Sequence, residues 1–494
     1  MRGPESAKAI GVANVILAGG GLFCLLCLLY VVHRYGLTGQ GQFVSDVGPL
    51  VYYLVPGVSS VLLFGSLLLS PSTKVGLALV LSSTAVSLYS VELVLEVVKH
   101  LRVRDQRTLW TPTTQDELDE LVQIAANHGI TYDTRSTFEV VMDLRSSDPG
   151  ATPAIIPNAL LVRQSDGTLR SRIALDGREV LVLGGISNRT TVLCNESGEW
   201  ITYLSDEHGF HNPAGIWNRS DIDVVVIGDS YAHGACVPSD ANAAAVIRSR
   251  YPATLNLGML GHGPLMELAQ LTEYVARFEP KVVLWFFYEQ NDFANLETER
   301  NSPLLMRYLT GPFRQDLLAL QPEIDQALDE YVAGEIDERH RRPPRDERSR
   351  RIKILPAIQT VVFLGNLRQR LGLAYGSLSA PDGLASDETM DLLGDIFTVA
   401  KATVTSWGGE LYLVYLPQRE LYTDPPRVDL AETNREMTLS LARELGIPVI
   451  DIHSAIQSHD DPLSLFPFRR RGHFNEDGYR LIAESALEAI SPHE

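Results

Sequence analysis

The stretch Val224–Gly234, VVVIGDSYAHG, runs four aliphatic residues straight into Gly-Asp-Ser. A run with no polar position has no solvent face. It therefore reads as a strand covered on both sides, the pattern of a parallel sheet. In such sheets ligands bind beyond the carboxyl ends of the strands, so an acid, a hydroxyl and a glycine at this tip call for a chemical explanation.

Similar runs follow downstream. Thr254–Leu257, Lys281–Phe287, Glu410–Leu416 and Ile447–Asp451 read as four more apolar strands, with helical stretches such as Leu265–Arg277 and Leu430–Leu445 between them. Strand–helix alternation predicts an α/β domain, a three-layer parallel sheet, over residues 221–494. A helical insertion at about 293–409 interrupts it and carries the charged run Glu338–Arg351 (ERHRRPPRDERSRR). Such a run is ordinarily a solvated linker; the insertion as a whole reads as a cap over the strand ends.

Upstream, residues 102–220 hold a short helical pattern at Asp116–Asn127. Brief strand-like runs follow at Phe138–Asp143, Ala159–Arg163, Glu179–Leu183, Thr190–Cys194 and Trp200–Leu204, a strand-rich lead-in region. Residues 1–101 are different again. Three apolar runs, at about 9–32, 49–69 and 75–98, each approach the roughly 20 residues that cross a bilayer, and predict an anchor of three transmembrane helices. The chain of 494 residues carries a net charge of −19, which argues against nucleic acid as a partner.

The sides of the membrane are signalled in opposite directions. Lys99, Arg102, Arg104 and Arg107 after the third run favour a cytoplasmic C-terminal part. Cys194 and Cys236 flank the Gly-Asp-Ser. They are either a disulfide, which needs an oxidising compartment, or two unrelated buried thiols, and the sequence leaves both open.

The residues after each strand form a set: Gly228-Asp229-Ser230; NLGMLGHGP (Asn256–Pro264); YEQND (Tyr288–Asp292); and, before the last helix, GHFNEDGYRLIAE (Gly472–Glu484). Ester chemistry needs these residue types. A serine hydroxyl requires a base within hydrogen-bond reach, and His473 can be that base. The tetrahedral oxyanion requires donors, which the Ser230 N–H, a glycine N–H and the Asn291 amide can supply. Taken singly, each piece reads as a turn or a helix cap; four at successive strand ends in one order are more specific.

In that order the chain resembles the SGNH (GDSL) hydrolase superfamily, membrane-anchored bacterial type. The resemblance covers Asp221 to about Pro492 apart from the insertion. It implies Ser230 as nucleophile, Gly261 (rather than Gly258) and Asn291 as oxyanion donors, and His473 as base, with no cofactor and no metal. A looser likeness covers Ser205–Pro213, SDEHGFHNP. The family's third triad member is an Asp two or three residues before the His, where this chain has Arg470 and Arg471. Asp451, Asp460, Asp461 and Asp477 are alternatives among which nothing in the sequence selects; a Ser–His dyad is the other arrangement. The function implied is a membrane-anchored serine esterase or O-acyltransferase acting on acyl esters of envelope glycans or lipids, its catalytic domain extracytoplasmic. The competing reading is a non-catalytic, membrane-tethered glycan- or partner-binding protein on the same fold, to which the Arg470/Arg471 departure points.

Overall fold

The computed structural model describes residues 4–33, 53–102, 115–164, 166–341, 385–423, 431–470 and 472–491, with Val361 and Leu364. These fall into two units, one of residues 1–104 with 346–382, the other of residues 105–345 with 383–494.

The second unit is built on five parallel strands: β1 (Val224–Ile227), β2 (Thr254–Asn256), β3 (Val282–Tyr288), β4 (Glu410–Leu416) and β5 (Val449–Asp451). Their spatial order is β2-β1-β3-β4-β5. Side chains alternate across a strand, and here both faces are covered. Val224, Val226, Leu284 and Phe286 pack with the helix Glu476–Ile490 on one face. Val225, Ile227, Trp285 and Phe287 pack with the helices Pro264–Gln270 and Asp387–Ser406 on the other. This is why the strands read as continuous apolar runs. Connections run to opposite sides from β1, so the crevice between the carboxyl ends of β1 and β3 is the topological switch point, where this strand order binds ligands. In register, Ile227 pairs with Trp285, and β3 continues three residues further to Tyr288. The turn after β1 and the helix after β3 therefore begin at one level.

The lead-in residues share this core. Phe210 and Trp217 are buried in the same cluster as Val225 and Ile227. Thr190–Cys194 and Ile201–Leu204 are an antiparallel pair, with Thr152–Pro153 added as a third strand. Phe138–Asp143 departs from expectation, because Thr137–Leu144 is a helix. The Ser136 hydroxyl accepts from the Glu139 N–H, and the Glu139 carboxylate accepts from the Ser136 N–H. This capping box nucleates the helix, and the residues' β-branched character does not override it. The segment Ser205–Pro213 is structural. Buried Asp206 accepts hydrogen bonds from the His208 and Phe210 N–H groups, Asn212 Nδ2 and Trp217 Nε1. Asn212 in turn holds the end of β2 through the Asn256 backbone.

Within the insertion, Gln321–Arg341 and Asp387–Ser406 are helices whose Leu328, Val332 and Phe397 join the buried core, so these parts are a layer of the domain. The rest of the charged run, Arg342–Arg351, lies outside the described residues.

In the first unit two helices are long and apolar enough to cross a membrane, Ala7–Val31 and Pro71–Leu95. In the middle run the described helix is Val55–Ser66, 12 residues, about 18 Å at 1.5 Å per residue; residues 49–52 lie outside the described residues. Among the described residues there are thus two helices of spanning length and a shorter apolar one. The short helix packs on the first by close approach: Ser60 Oγ donates to the Gly21 carbonyl at 3.0 Å, and Gly21 lies against the Phe64 ring.

Candidate active site

Gly-Asp-Ser forms a sharp strand-to-helix turn. Gly228 has φ +146°, and a Cβ there would lie 2.8 Å from the Phe286 carbonyl, so only glycine lets the chain turn against β3. Asp229 then caps the one-turn helix Ser230–His233, accepting from the Tyr231 N–H at 2.8 Å. The turn raises Ser230 at the end of β1.

His473 precedes the helix Glu476–Ile490, which Asn475 caps through the Gly478 N–H. The next residue, Phe474, is fully buried. The Tyr231 ring lies 4.8 Å, centroid to centroid, from the imidazole. His473 Nε2 is 2.8 Å from Ser230 Oγ. Residues 243 apart in sequence thus meet at hydrogen-bond distance.

The other face of the imidazole was not foreseen. Glu196, in the turn after the strand Thr190–Cys194, grips His473 twice. Its Oε2 accepts from the His473 backbone N–H at 2.7 Å, and its Oε1 lies 3.0 Å from Nδ1. A carboxylate only accepts, so Nδ1 carries the proton, Nε2 is left as acceptor, and Ser230 O–H donates to it. Gly472 makes room: at φ +131°, a Cβ there would sit 2.3 Å from Glu196 Oε2. The turn carrying Glu196 is itself fixed. Asn195 Oδ1 accepts from the Gly198 N–H at 2.9 Å and Asn195 Nδ2 donates to the Asp133 carbonyl at 3.0 Å. Cys194 is disulfide-bonded to Cys236 in the loop after Ser230, with 5.3 Å between their Cα atoms.

Burial works against a charged His473, but the Glu196 carboxylate outweighs it, and with a smaller contribution from Asp229 the imidazole pKa is raised above its ordinary 6.5. The Arg470 guanidinium turns to Glu120 at 2.7 Å; Arg471 lies outside the described residues. Of the carboxylates considered from sequence, Asp451 pairs with Arg435, Asp461 with Arg469 and Asp477 with Arg480, and Asp460 is exposed. The partner lies 277 residues upstream of His473, beyond the reach of any local spacing. The two cysteines bracketing Gly-Asp-Ser were the available signal, because their pairing brings residue 196 to the serine loop.

Asn291 stands in the first turn of the helix Glu289–Glu299, and its Nδ2 donates to Asp229 Oδ2 at 2.8 Å. It is thereby joined to the serine turn. Burial raises the Asp229 pKa, while the Asn291 and Tyr231 bonds favour its ionised form. Gly261 is placed less directly. Its carbonyl accepts from Asn158 Nδ2 at 2.6 Å. Gly258, the other glycine of that stretch, commits its N–H to Asn256 Oδ1 at 2.9 Å.

No family model and no curated protein matches the chain. Solved structures do. Its structural neighbours are lipolytic acylhydrolases and acetylxylan esterases. A lipase/acylhydrolase from Enterococcus faecalis is 13% identical over 54% of this chain and 95% of its own, with a TM-score of 0.30. A member of the lipolytic protein G-D-S-L family from Veillonella parvula is 14% identical over 54% and 97%, TM-score 0.29. An acetylxylan esterase from Geobacillus stearothermophilus is 11% identical over 55% and 95%, TM-score 0.30. At such scores the likeness lends the site no weight beyond its own distances.

Proposed function

We propose that the chain is a serine esterase or O-acyltransferase working through a covalent acyl-enzyme. One observation carries the reading: a single imidazole bridges Ser230 Oγ at 2.8 Å and a carboxylate at 3.0 Å. This is the nucleophile–base–orienter arrangement that activates a serine. Ser230 Oγ attacks the acyl carbonyl as its proton passes to His473 Nε2. Glu196 holds the Nδ1–H tautomer and stabilises the imidazolium. The developing oxyanion is held by the Ser230 N–H, the Gly261 N–H and the Asn291 amide. That amide has two N–H donors, of which the bond to Asp229 uses one. The commitment of the Gly258 N–H to Asn256 favours Gly261 as the glycine donor. His473 returns its proton to the leaving alcohol, and water or a second hydroxyl then takes the acyl group. The chemistry asks for no metal or cofactor.

The binding-protein alternative drew on the arginines before His473. Glu196 stands where an acid partner is needed and Arg470 is engaged with Glu120, which weakens that support.

The substrate is read as an acyl ester at a membrane, on an envelope glycan or a lipid. Support for the membrane comes from the apolar helices, whose side chains are exposed: Val15 is 72% and Leu79 67% exposed. Contiguous apolar surface of this kind marks a lipid or protein contact. The disulfide favours an extracytoplasmic site, since such bonds persist in oxidising compartments.

The test is hydrolysis of p-nitrophenyl acetate by the full chain, compared with Ser230→Ala and His473→Ala. Activity lost in both variants supports the reading. Equal rates in all three would overturn it.

A further inference from the structure

The Cys194–Cys236 bond does more than fix a loop, because one of its sulfurs lies beside the base. Cys236 Sγ is 4.0 Å from His473 Nδ1, on the side of the ring that Glu196 occupies. Ligand atoms of Glu196, Cys236 and His473 all lie within 4.8 Å of one another, and the bond to Cys194 is what occupies the Cys236 sulfur.

We propose that, once the Cys194–Cys236 disulfide is reduced, Cys236, His473 and Glu196 form a zinc site, completed by water, that silences the base. Zinc takes thiolate, imidazole and carboxylate ligands at roughly 2.0–2.3 Å, and three protein ligands with a water complete its tetrahedron. Around a tetrahedral ion those lengths put ligand atoms about 3.3–3.8 Å apart. Of the present separations, 3.0 and 4.0 Å bracket that range and none exceeds 4.8 Å, so shifts of about 1 Å suffice. In the oxidised protein neither sulfur is a thiolate, and the site is closed. Cys236 is buried, while the His473 and Glu196 side chains keep 21% and 24% exposure, which gives an ion an approach.

The chemistry balances. A phosphine reductant breaks the S–S bond and, with one water, becomes the phosphine oxide; its two electrons and the water's two protons make two thiols. Zinc displaces the Cys236 thiol proton, and the Cys194 thiol keeps its own. Coordination at Nδ1 moves the imidazole proton to Nε2, because a neutral ring keeps one proton. An Nε2–H can donate to Ser230 Oγ but cannot accept its proton. The base is switched off without being displaced.

The silencing rests on the serine reading above; the metal site does not. Zinc uptake by metal-free full chain, oxidised and phosphine-reduced, is measured by competition with a chromophoric chelator. One zinc per reduced chain is expected and none per oxidised chain. Cobalt in its place should show thiolate charge-transfer absorption. Cys194→Ser, which frees Cys236 without any reductant, should still take up zinc. Glu196→Gln and Cys236→Ser should weaken binding at least as much as the ~10–100-fold that outer partners of a metal site cost. Ser230→Ala should bind as wild type does. Ester hydrolysis should be lost on adding zinc to the reduced chain and return with a chelator. Zinc uptake as expected with no hydrolysis in any form would uphold the site and sink the serine reading. Equal uptake by oxidised and reduced wild type, or none by Cys194→Ser where reduction unfolds wild type, would overturn the site.

Discussion

Glu196→Gln tests the triad most sharply, because the glutamine is nearly the same shape and cannot make both bonds. The carboxylate accepts from two donors at once, the His473 backbone N–H at 2.7 Å and Nδ1–H at 3.0 Å. An amide offers one acceptor and one NH₂ group. If its oxygen faces Nδ1, its NH₂ meets the backbone N–H, donor against donor. If its oxygen faces the backbone, its NH₂ forces the proton from Nδ1 to Nε2, and the base is in the wrong tautomer. One charge-assisted bond is worth about 1.5–3 kcal/mol, and the stabilisation of the imidazolium is lost as well. The pair keeps 21% and 24% side-chain exposure, so water replaces part of that loss. The expected fall in kcat is roughly 10²–10⁴-fold, or about 2.7–5.4 kcal/mol at 1.36 kcal/mol per decade. KM should change little, since Glu196 is placed to touch the base and not the substrate. The pH profile gives the second reading. In the wild type the raised His473 pKa means that activity falls as pH drops through a value above 6.5. Without the carboxylate, burial is opposed only by the smaller contribution of Asp229, so the pKa falls and the acid limb should move to lower pH. Steady-state hydrolysis of an acyl ester between pH 4 and 9 measures both. A variant within about threefold of wild type, with an unmoved acid limb, would refute the role given to Glu196; each decade of rate is only ~1.4 kcal/mol.

Gly472→Ala should resemble Glu196→Gln in kcat while leaving Glu196 itself intact, because the added Cβ falls 2.3 Å from Glu196 Oε2; near-wild-type kcat would show that the carboxylate has room to move. Asn291→Ala should lower kcat by roughly 10²–10³-fold, the usual cost of an oxyanion donor, with the acid limb of the pH profile in place. A changed KM alone would assign Asn291 to substrate binding. Asp206→Ala should lower stability by about 3 kcal/mol or more, read by urea unfolding, since four donors converge on one buried carboxylate and each would be left without its acceptor; a loss below about 1 kcal/mol would show the hub to be replaceable by water.

Much of the fold was legible because its strands are buried on both faces. Val224–Ile227 and Glu410–Leu416 have the bounds read from sequence, and no polar residue within Val224–Ile227 offered a competing period. Ser230 and His473 were legible for a related reason: strand ends and helix starts carry their own turn and cap residues, here Gly228, Asp229 and Asn475. Glu196 was not. A carboxylate that acts from a turn in a different part of the chain leaves no local spacing to find, and only the disulfide links it to the serine loop. The helix Thr137–Leu144 was missed because Phe-Glu-Val-Val satisfies a strand pattern, while the deciding signal, Ser136 with Glu139, sits at its very start.

The central claim is that Ser230 is a nucleophile made reactive by His473. A fluorophosphonate that reports on activated serines, followed by peptide mass spectrometry on the full chain, tests it without any knowledge of the substrate. The account expects one adduct, on Ser230, formed much more slowly in His473→Ala and Glu196→Gln. An unlabelled Ser230 in folded protein, or labelling at the same rate with His473 removed, would contradict it.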